Sequence, residues 1–200
     1  MKDKRTVDMK VMTDWVQPGS RVLDLGCGRG VLLEYLKQKL AVQATGVDLD
    51  CDKARACVKR GLSVYMGDMM EFMRSFPDKH FDYVVCSRTL HELKEPAGVI
   101  SEALRVSSHM LVGFVNFGYW RNRMSMLLSG ERIRNEVYPK LWWENRPSNP
   151  LSVSQFEAFC AERGIRIERK RCLGGNWRSE VRLFPNWSCG YALYDLRGRG

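Results

Sequence analysis

The sequence predicts an α/β fold, a seven-stranded, mostly parallel sheet with helices on both faces. Three observations lead there. Strand-like and helix-like segments alternate through residue 116, the order expected of parallel strands joined by crossover helices. The first three strand-like segments each end in a carboxylate: Asp24, Asp48 and Asp68. The first of them also breaks into glycines at Gly26, Gly28 and Gly30 immediately before a helical run, the turn by which a strand feeds a ligand-binding helix.

The elements follow in order. Residues 8–16 predict a helix with Met9, Met12 and Val16 on one face, stopped by Pro18-Gly19. Residues 22–25, apolar but for Asp24, form the first strand, and residues 31–39 a helix with Leu32, Leu33 and Leu36 on one face. Residues 45–50 and 62–68 give the second and third strands. The turn signal Phe76-Pro77-Asp78 precedes a fourth at 81–87, and a helix over 97–106 leads to a fifth strand at 109–116. Beyond Gly118 the character changes. A further helix is expected over 120–128, then an irregular stretch over 130–150 with Pro139, Pro147 and Pro150 among Tyr138, Trp142 and Trp143. Such an aromatic, proline-containing segment reads as a lid or binding loop. Ser154 and Glu157 suggest a capping box for a helix running to Arg163 and closed by Gly164. Two last strands, 165–173 and 180–194, are expected to join through a Gly174-Gly175-Asn176 turn. The expectation is one domain over residues 1–200, with a lid or insertion at about 118–150.

Chemistry concentrates where the strands end. The spacing Gly26-x-Gly28-x-Gly30 differs from the dinucleotide fingerprint, whose third glycine would fall at position 31, here Val31; a nicotinamide dinucleotide is disfavoured. Asp24 would repel a pyrophosphate, yet it would stabilise the ammonium or sulfonium end of S-adenosylmethionine (SAM). Asp48 stands 22 residues after Gly26, where a ribose-binding carboxylate is expected, and Asp68 is placed to accept a hydrogen bond from an adenine amino group. Each acid alone is equally compatible with helix capping. As a trio at the carboxyl ends of adjacent strands they converge on one crevice. The SAM-binding set is therefore Asp24, Gly26, Cys27, Gly28, Gly30, Asp48, Leu49, Asp68, Met69 and Ser87, with S-adenosylhomocysteine as the product form. Cys27 also reads simply as a small residue that tight packing tolerates.

Composition sets the outer bounds. Two hundred residues that are 44% hydrophobic suffice for one sizeable core. Seven cysteines without C-x-x-C spacing argue against a disulfide framework and a zinc site, and point to a reducing, cytoplasmic setting. No targeting or membrane-spanning stretch is expected. Residues 1–120 carry 17 basic and 15 acidic side chains and residues 121–200 carry 15 and 8, so the net charge of +9 lies mostly in the C-terminal part. No nucleic-acid-binding module accompanies it, and a solvated basic surface is the simpler reading.

The motifs from Val22 through Gly30, then Asp48, Asp68 and the strand ending at Ser87, resemble the class I SAM-dependent methyltransferases over nearly the whole chain. That resemblance implies a Rossmann-like class I methyltransferase fold. More narrowly, residues 15–28, residues 76–85 and above all Asn116-Phe117-Gly118-Tyr119-Trp120-Arg121 resemble the MetW family of methionine-biosynthesis proteins. The resemblance implies bacterial methionine synthesis in company with a homoserine O-acetyltransferase, and implies SAM binding more firmly than methyl transfer. The chain departs from the family pattern after Ser87, with Arg88-Thr89-Leu90-His91-Glu92 in place of S-Q-T-L-Q. Ser148-Asn149-Pro150 also replaces a segment that usually carries histidine.

If the chain is instead an active methyltransferase on a small-molecule acceptor, few residues are obligatory. Displacement at a sulfonium needs a positioned nucleophile and the removal of at most one proton. His91, four residues after Ser87, is the candidate base; helix capping is the alternative. Tyr119, beyond the fifth strand, is the candidate acceptor-pocket residue; packing is the alternative.

Overall fold

The computed structural model describes residues 2–130 and 149–198, with side chains from residue 7 onward. Its strands are β1 (Arg21–Leu25), β2 (Gln43–Asp48), β3 (Ser63–Met66), β4 (Phe81–Ser87), β5 (Ser107–Val115), β6 (Arg166–Leu173) and β7 (Tyr191–Arg197). The helices are α1 (Lys2–Trp15), α2 (Val31–Leu40), α3 (Cys51–Lys59), α4 (Met69–Arg74), α5 (Pro96–Val106), α6 (Trp120–Ser129), α7 (Val153–Arg163) and the single turn α8 (Pro185–Ser188), with a 3-10 turn at Leu90–Glu92.

The strands lie in the order β3-β2-β1-β4-β5-β7-β6. Pairs within β3 to β5 are parallel, while β7 runs antiparallel to both β5 and β6. The order reverses between β1 and β4, the switch point outside which open α/β sheets bind ligands.

Side-chain alternation decides which face each residue serves. Val22, Tyr83 and Val85 join Met12, Trp15 and Leu36 in the core under α1 and α2. Their neighbours Leu23, Leu25, Val84 and Cys86 join Met73, Ile100 and Phe156 under α4, α5 and α7. By the same alternation Asp24 and Ser87 point to the α1 side.

Three expected elements differ. The last strand is β7 from Tyr191, and not the expected 180–194; an isolated bridge between Leu173 and Glu180, then α8, fills the interval. The Gly174-Gly175-Asn176 turn therefore does not join β6 directly to β7. The capping box of α7 uses Ser152 and Gln155, two residues before Ser154 and Glu157. The first helix starts at Lys2, earlier than residue 8. The aromatic stretch with Tyr138, Trp142 and Trp143 lies outside the described residues.

Candidate functional site

A cavity of about 370 Å³ opens at the switch point, floored by Asp24 and walled by Gly26, Cys27, Gly28, Ser87 and the first turn of α2. Its size falls in the range of small-molecule sites. The helix α1 roofs it with Asp8 and Met9, and Arg29, Lys53 and Arg88 stand at its edges.

The glycine loop is held from within. Gly26 and Cys27 donate their N–H groups to Val47 O at 2.8 and 3.0 Å, Gly30 donates to Cys27 O at 3.0 Å, and Gly28 donates to Asp48 Oδ2 at 2.8 Å. The commitment of these N–H groups to the fold means that the loop offers surface and carboxylates instead of an anion cradle. Gly26 is required on two counts: φ is +72°, and a Cβ there would lie 2.6 Å from Thr89 Oγ1. Cys27 lines the cavity and also packs, its sulfur lying where a Cβ on Gly46 would come within 2.6 Å.

Asp24 is buried at the floor of the cavity, and of the two buried acids that line it Asp8 is the one paired with an arginine. Burial, with a lesser contribution from the neighbouring Asp48 charge, pushes the Asp24 carboxyl up to about 7. A buried carboxylate facing a ligand-sized space calls for a cationic group. Asp48 accepts from Gly28 N and, through Oδ1, from Asp50 N at 3.0 Å. Each oxygen keeps a further lone pair for a ligand. Lys53 Nζ lies 3.9 Å from Asp48 and borders both this cavity and the cleft that Asp48, Leu49 and Asp50 line. Leu49 is exposed there. Asp68 caps α4 through Oδ1, which accepts from Met70 N and Glu71 N at 2.8 and 3.0 Å. Met69, the first residue of α4, is half-buried. Ser87 Oγ lies 3.3 Å from Tyr191 Oη.

Two residues missed by sequence reasoning complete the wall. Arg88 donates Nε and Nη2 to Asp8 Oδ2 at 3.0 and 2.6 Å, and its guanidinium lies over Trp177 at 5.0 Å and Tyr191 at 5.8 Å. Burial pushes the Asp8 carboxyl up and Arg88 pulls it back. The pair pins α1 across the cavity from 80 residues away in the chain. The only signal in the sequence was the departure from the family pattern at Arg88.

The two catalytic candidates stand elsewhere. Arg88 adopts φ +63° and turns the chain, so that Leu90 enters the core under α5 and α7. His91 therefore lines a separate apolar cavity of about 180 Å³ with Leu90, Ile100, Leu151, Phe156 and Phe159. Burial lowers its imidazole to about 4, which keeps it neutral at pH 7. Tyr119 lies against Gly175, where a Cβ would collide with its phenol oxygen.

The motif around Asn116 is a structural hub. Its buried side chain donates to Asn186 O and Cys189 O at 3.2 and 2.8 Å and accepts from Gly118 N and Val153 N at 2.9 and 3.1 Å. Gly118 must lack a side chain, because a Cβ would lie 2.9 Å from Asn186 O. These bonds join the end of β5 to the lead-in of β7 and the start of α7. Among the described residues no cluster of side chains suits a metal ion, and no helix is long and apolar enough to cross a membrane.

Residues 6–196 match the protein family described as methionine biosynthesis protein MetW. The chain belongs to the MetW family. Over 150 residues it is 29% identical to the bifunctional methionine biosynthesis protein MetXA/MetW of Rhodopirellula baltica, a match covering 71% of this chain and 24% of that one. A ubiquinone biosynthesis O-methyltransferase of Aliivibrio fischeri is 30% identical over 163 residues, 74% of this chain and 66% of the relative. The chain thus spans about a quarter of the fused relative and under two thirds of that O-methyltransferase. A SAM-dependent methyltransferase from Archaeoglobus fulgidus superposes with a TM-score of 0.70 at 15% identity, covering 97% of this chain and 94% of that one. The [4+2]-cyclase SpnF does so with a TM-score of 0.67 at 19% identity, covering 98% and 81%. The MetW chain therefore has the class I methyltransferase fold, and a cyclase on the same fold illustrates that fold does not fix reaction.

Proposed function

We propose that the chain binds SAM and supports methionine biosynthesis by acting together with a homoserine O-acetyltransferase. The buried Asp24 carboxylate, facing the glycine-loop cavity, carries the ligand half of this reading: it favours a cationic nucleoside and disfavours a phosphate. Asp48 would take the ribose hydroxyls on its remaining lone pairs, and Asp68 Oδ2 the adenine amino group, with Leu49 and Met69 flanking the base. Ser87 and the glycines 26, 28 and 30, with Cys27 between them, would shape the methionine end. SAM, when bound, supplies an electrophilic methyl group. The Arg88–Asp8 pair holds α1 over that end.

The partner half is supported by the fused relative, whose name joins MetXA and MetW in one chain. A second reading, methyl transfer to a small acceptor, is supported by the likeness to O-methyltransferases. One assay separates them. The chain is mixed with the homoserine O-acetyltransferase of the same genome and with SAM, and both O-acetylhomoserine and S-adenosylhomocysteine are followed. The proposal expects at least about tenfold faster acetyl transfer than with the acetyltransferase alone, and no S-adenosylhomocysteine; a tenfold change corresponds to about 1.4 kcal/mol off the activation barrier. Unchanged acetyl transfer contradicts the partnership. Steady S-adenosylhomocysteine release with an added acceptor establishes the second reading instead.

A further inference from the structure

Helix α6 buries none of its residues. Met126, Leu127 and Leu128 are 56%, 77% and 79% exposed, and on the neighbouring segment Leu183, Phe184 and Trp187 are 77%, 80% and 48% exposed. The two segments form one surface: Arg123 lies over the Trp187 ring at 5.4 Å and donates to Gly118 O at 2.6 Å, while Asn116 binds Asn186 O. The Asn116 hub therefore holds both on a rigid base.

Two observations say that this surface is built to be covered. Phe184 adopts φ +47°, a conformation that costs a bulky L residue energy, yet among the described residues its side chain stays 80% exposed. The backbone around it is fixed by Trp187 N and Ser188 N, which both donate to Phe184 O at 2.8 and 2.9 Å. Strain that presents an aromatic ring to the outside marks a contact anchor. The composition agrees, since tryptophan, phenylalanine, methionine and arginine are the residues enriched at interface centres. The charge also points to the occupant. Residues 118–130 and 181–191 hold Arg121, Arg123 and Arg182 and no acidic residue. The complementary surface is an apolar patch rimmed with carboxylates.

We infer that α6 and the Leu183–Trp187 segment form the docking face for the acetyltransferase, whose contact surface would then carry carboxylates opposite Arg121, Arg123 and Arg182; this rests on the partnership proposed above, which the fused relative supports. No residue of the face lines the glycine-loop cavity, so cofactor binding and docking can be tested separately.

Binding of the full chain to the acetyltransferase is measured by calorimetry for the wild type, a Leu127→Glu/Leu128→Glu double variant, Phe184→Glu, and Val58→Glu on α3. The last places the same charge on an exposed apolar position outside the face. The inference expects about 100-fold or greater loss for the double variant and for Phe184→Glu, a hot-spot effect. Val58→Glu should bind as the wild type does, and all four proteins should bind SAM equally. A wild type that does not bind the acetyltransferase overturns the partnership itself. A wild type that binds while both face variants bind as well overturns the docking face alone. The docking face is equally overturned if the variants keep partner affinity but lose self-association in sedimentation, or lose binding to vesicles of anionic phospholipid. A second copy or a membrane would then be the occupant.

Discussion

Asp24→Asn is expected to make the protein more stable and a poorer binder at once. The folded-state carboxyl titrates at about 7 against an ordinary value of 3.8, so the folded protein holds a proton that the unfolded chain has released across that window. Stability therefore falls as pH rises from about 4 to about 7, and above pH 7 the ionised Asp24 costs on the order of 4 kcal/mol. Asparagine removes the charge but buries an amide, which costs about 1–3 kcal/mol. The net gain at pH 8 is about 2 kcal/mol, or roughly 4–8 °C in Tm for a chain of this size. At pH 4 the wild type is already protonated there, so the advantage disappears. Thermal melts of both proteins at pH 5, 6, 7 and 8 measure this; an unchanged or lowered Tm difference across the series contradicts a buried, uncompensated Asp24. A cationic ligand reverses the sign. It pairs with ionised Asp24, so wild-type affinity for SAM should weaken as pH drops below about 7. Asp24→Asn should bind roughly 10- to 100-fold more weakly, with no such pH dependence, from losing one charge-assisted contact.

Asn116→Ala is the most destabilising single change expected. Its amide makes four hydrogen bonds in a buried position, to Asn186 O, Cys189 O, Gly118 N and Val153 N, and those bonds tie three separate segments together. Truncation leaves two carbonyls and two N–H groups without that partner, at about 1–3 kcal/mol each before relaxation or water entry. A loss of about 4 kcal/mol is expected, measured by urea denaturation with the slope unchanged. The remaining folded protein should bind SAM normally, because Asn116 does not line the cavity. A loss below about 1 kcal/mol, or a stable variant that no longer binds SAM, would assign the motif to the ligand site instead of the scaffold.

The residues legible in the sequence are those whose placement follows from local rules. Asp24 and Ser87 line one cavity because strand alternation puts every second residue on one face and because β1 and β4 are neighbours at the switch point. Gly26 was legible because only glycine fits its conformation beneath Thr89. What stayed hidden depended on distant partners. The Arg88–Asp8 pair spans 80 residues. His91 looked close to the site by counting from Ser87, but the left-handed turn at Arg88 carries the chain to the opposite face of the sheet. The start of β7 was misplaced because residues 180–190 are apolar enough to read as strand. Their backbone groups are instead taken by Asn116 and by the single turn α8.

The most direct test of the account is calorimetric titration of the wild type and Asp48→Ala with SAM and with S-adenosylhomocysteine at pH 8. Asp48 accepts from Gly28 N, and in the proposed function it would also take the ribose hydroxyls. The account predicts saturable one-to-one binding of both ligands to the wild type and at least about 30-fold weaker binding to Asp48→Ala, equivalent to about 2 kcal/mol. Absence of binding to the wild type, or equal affinity in the two proteins, contradicts it.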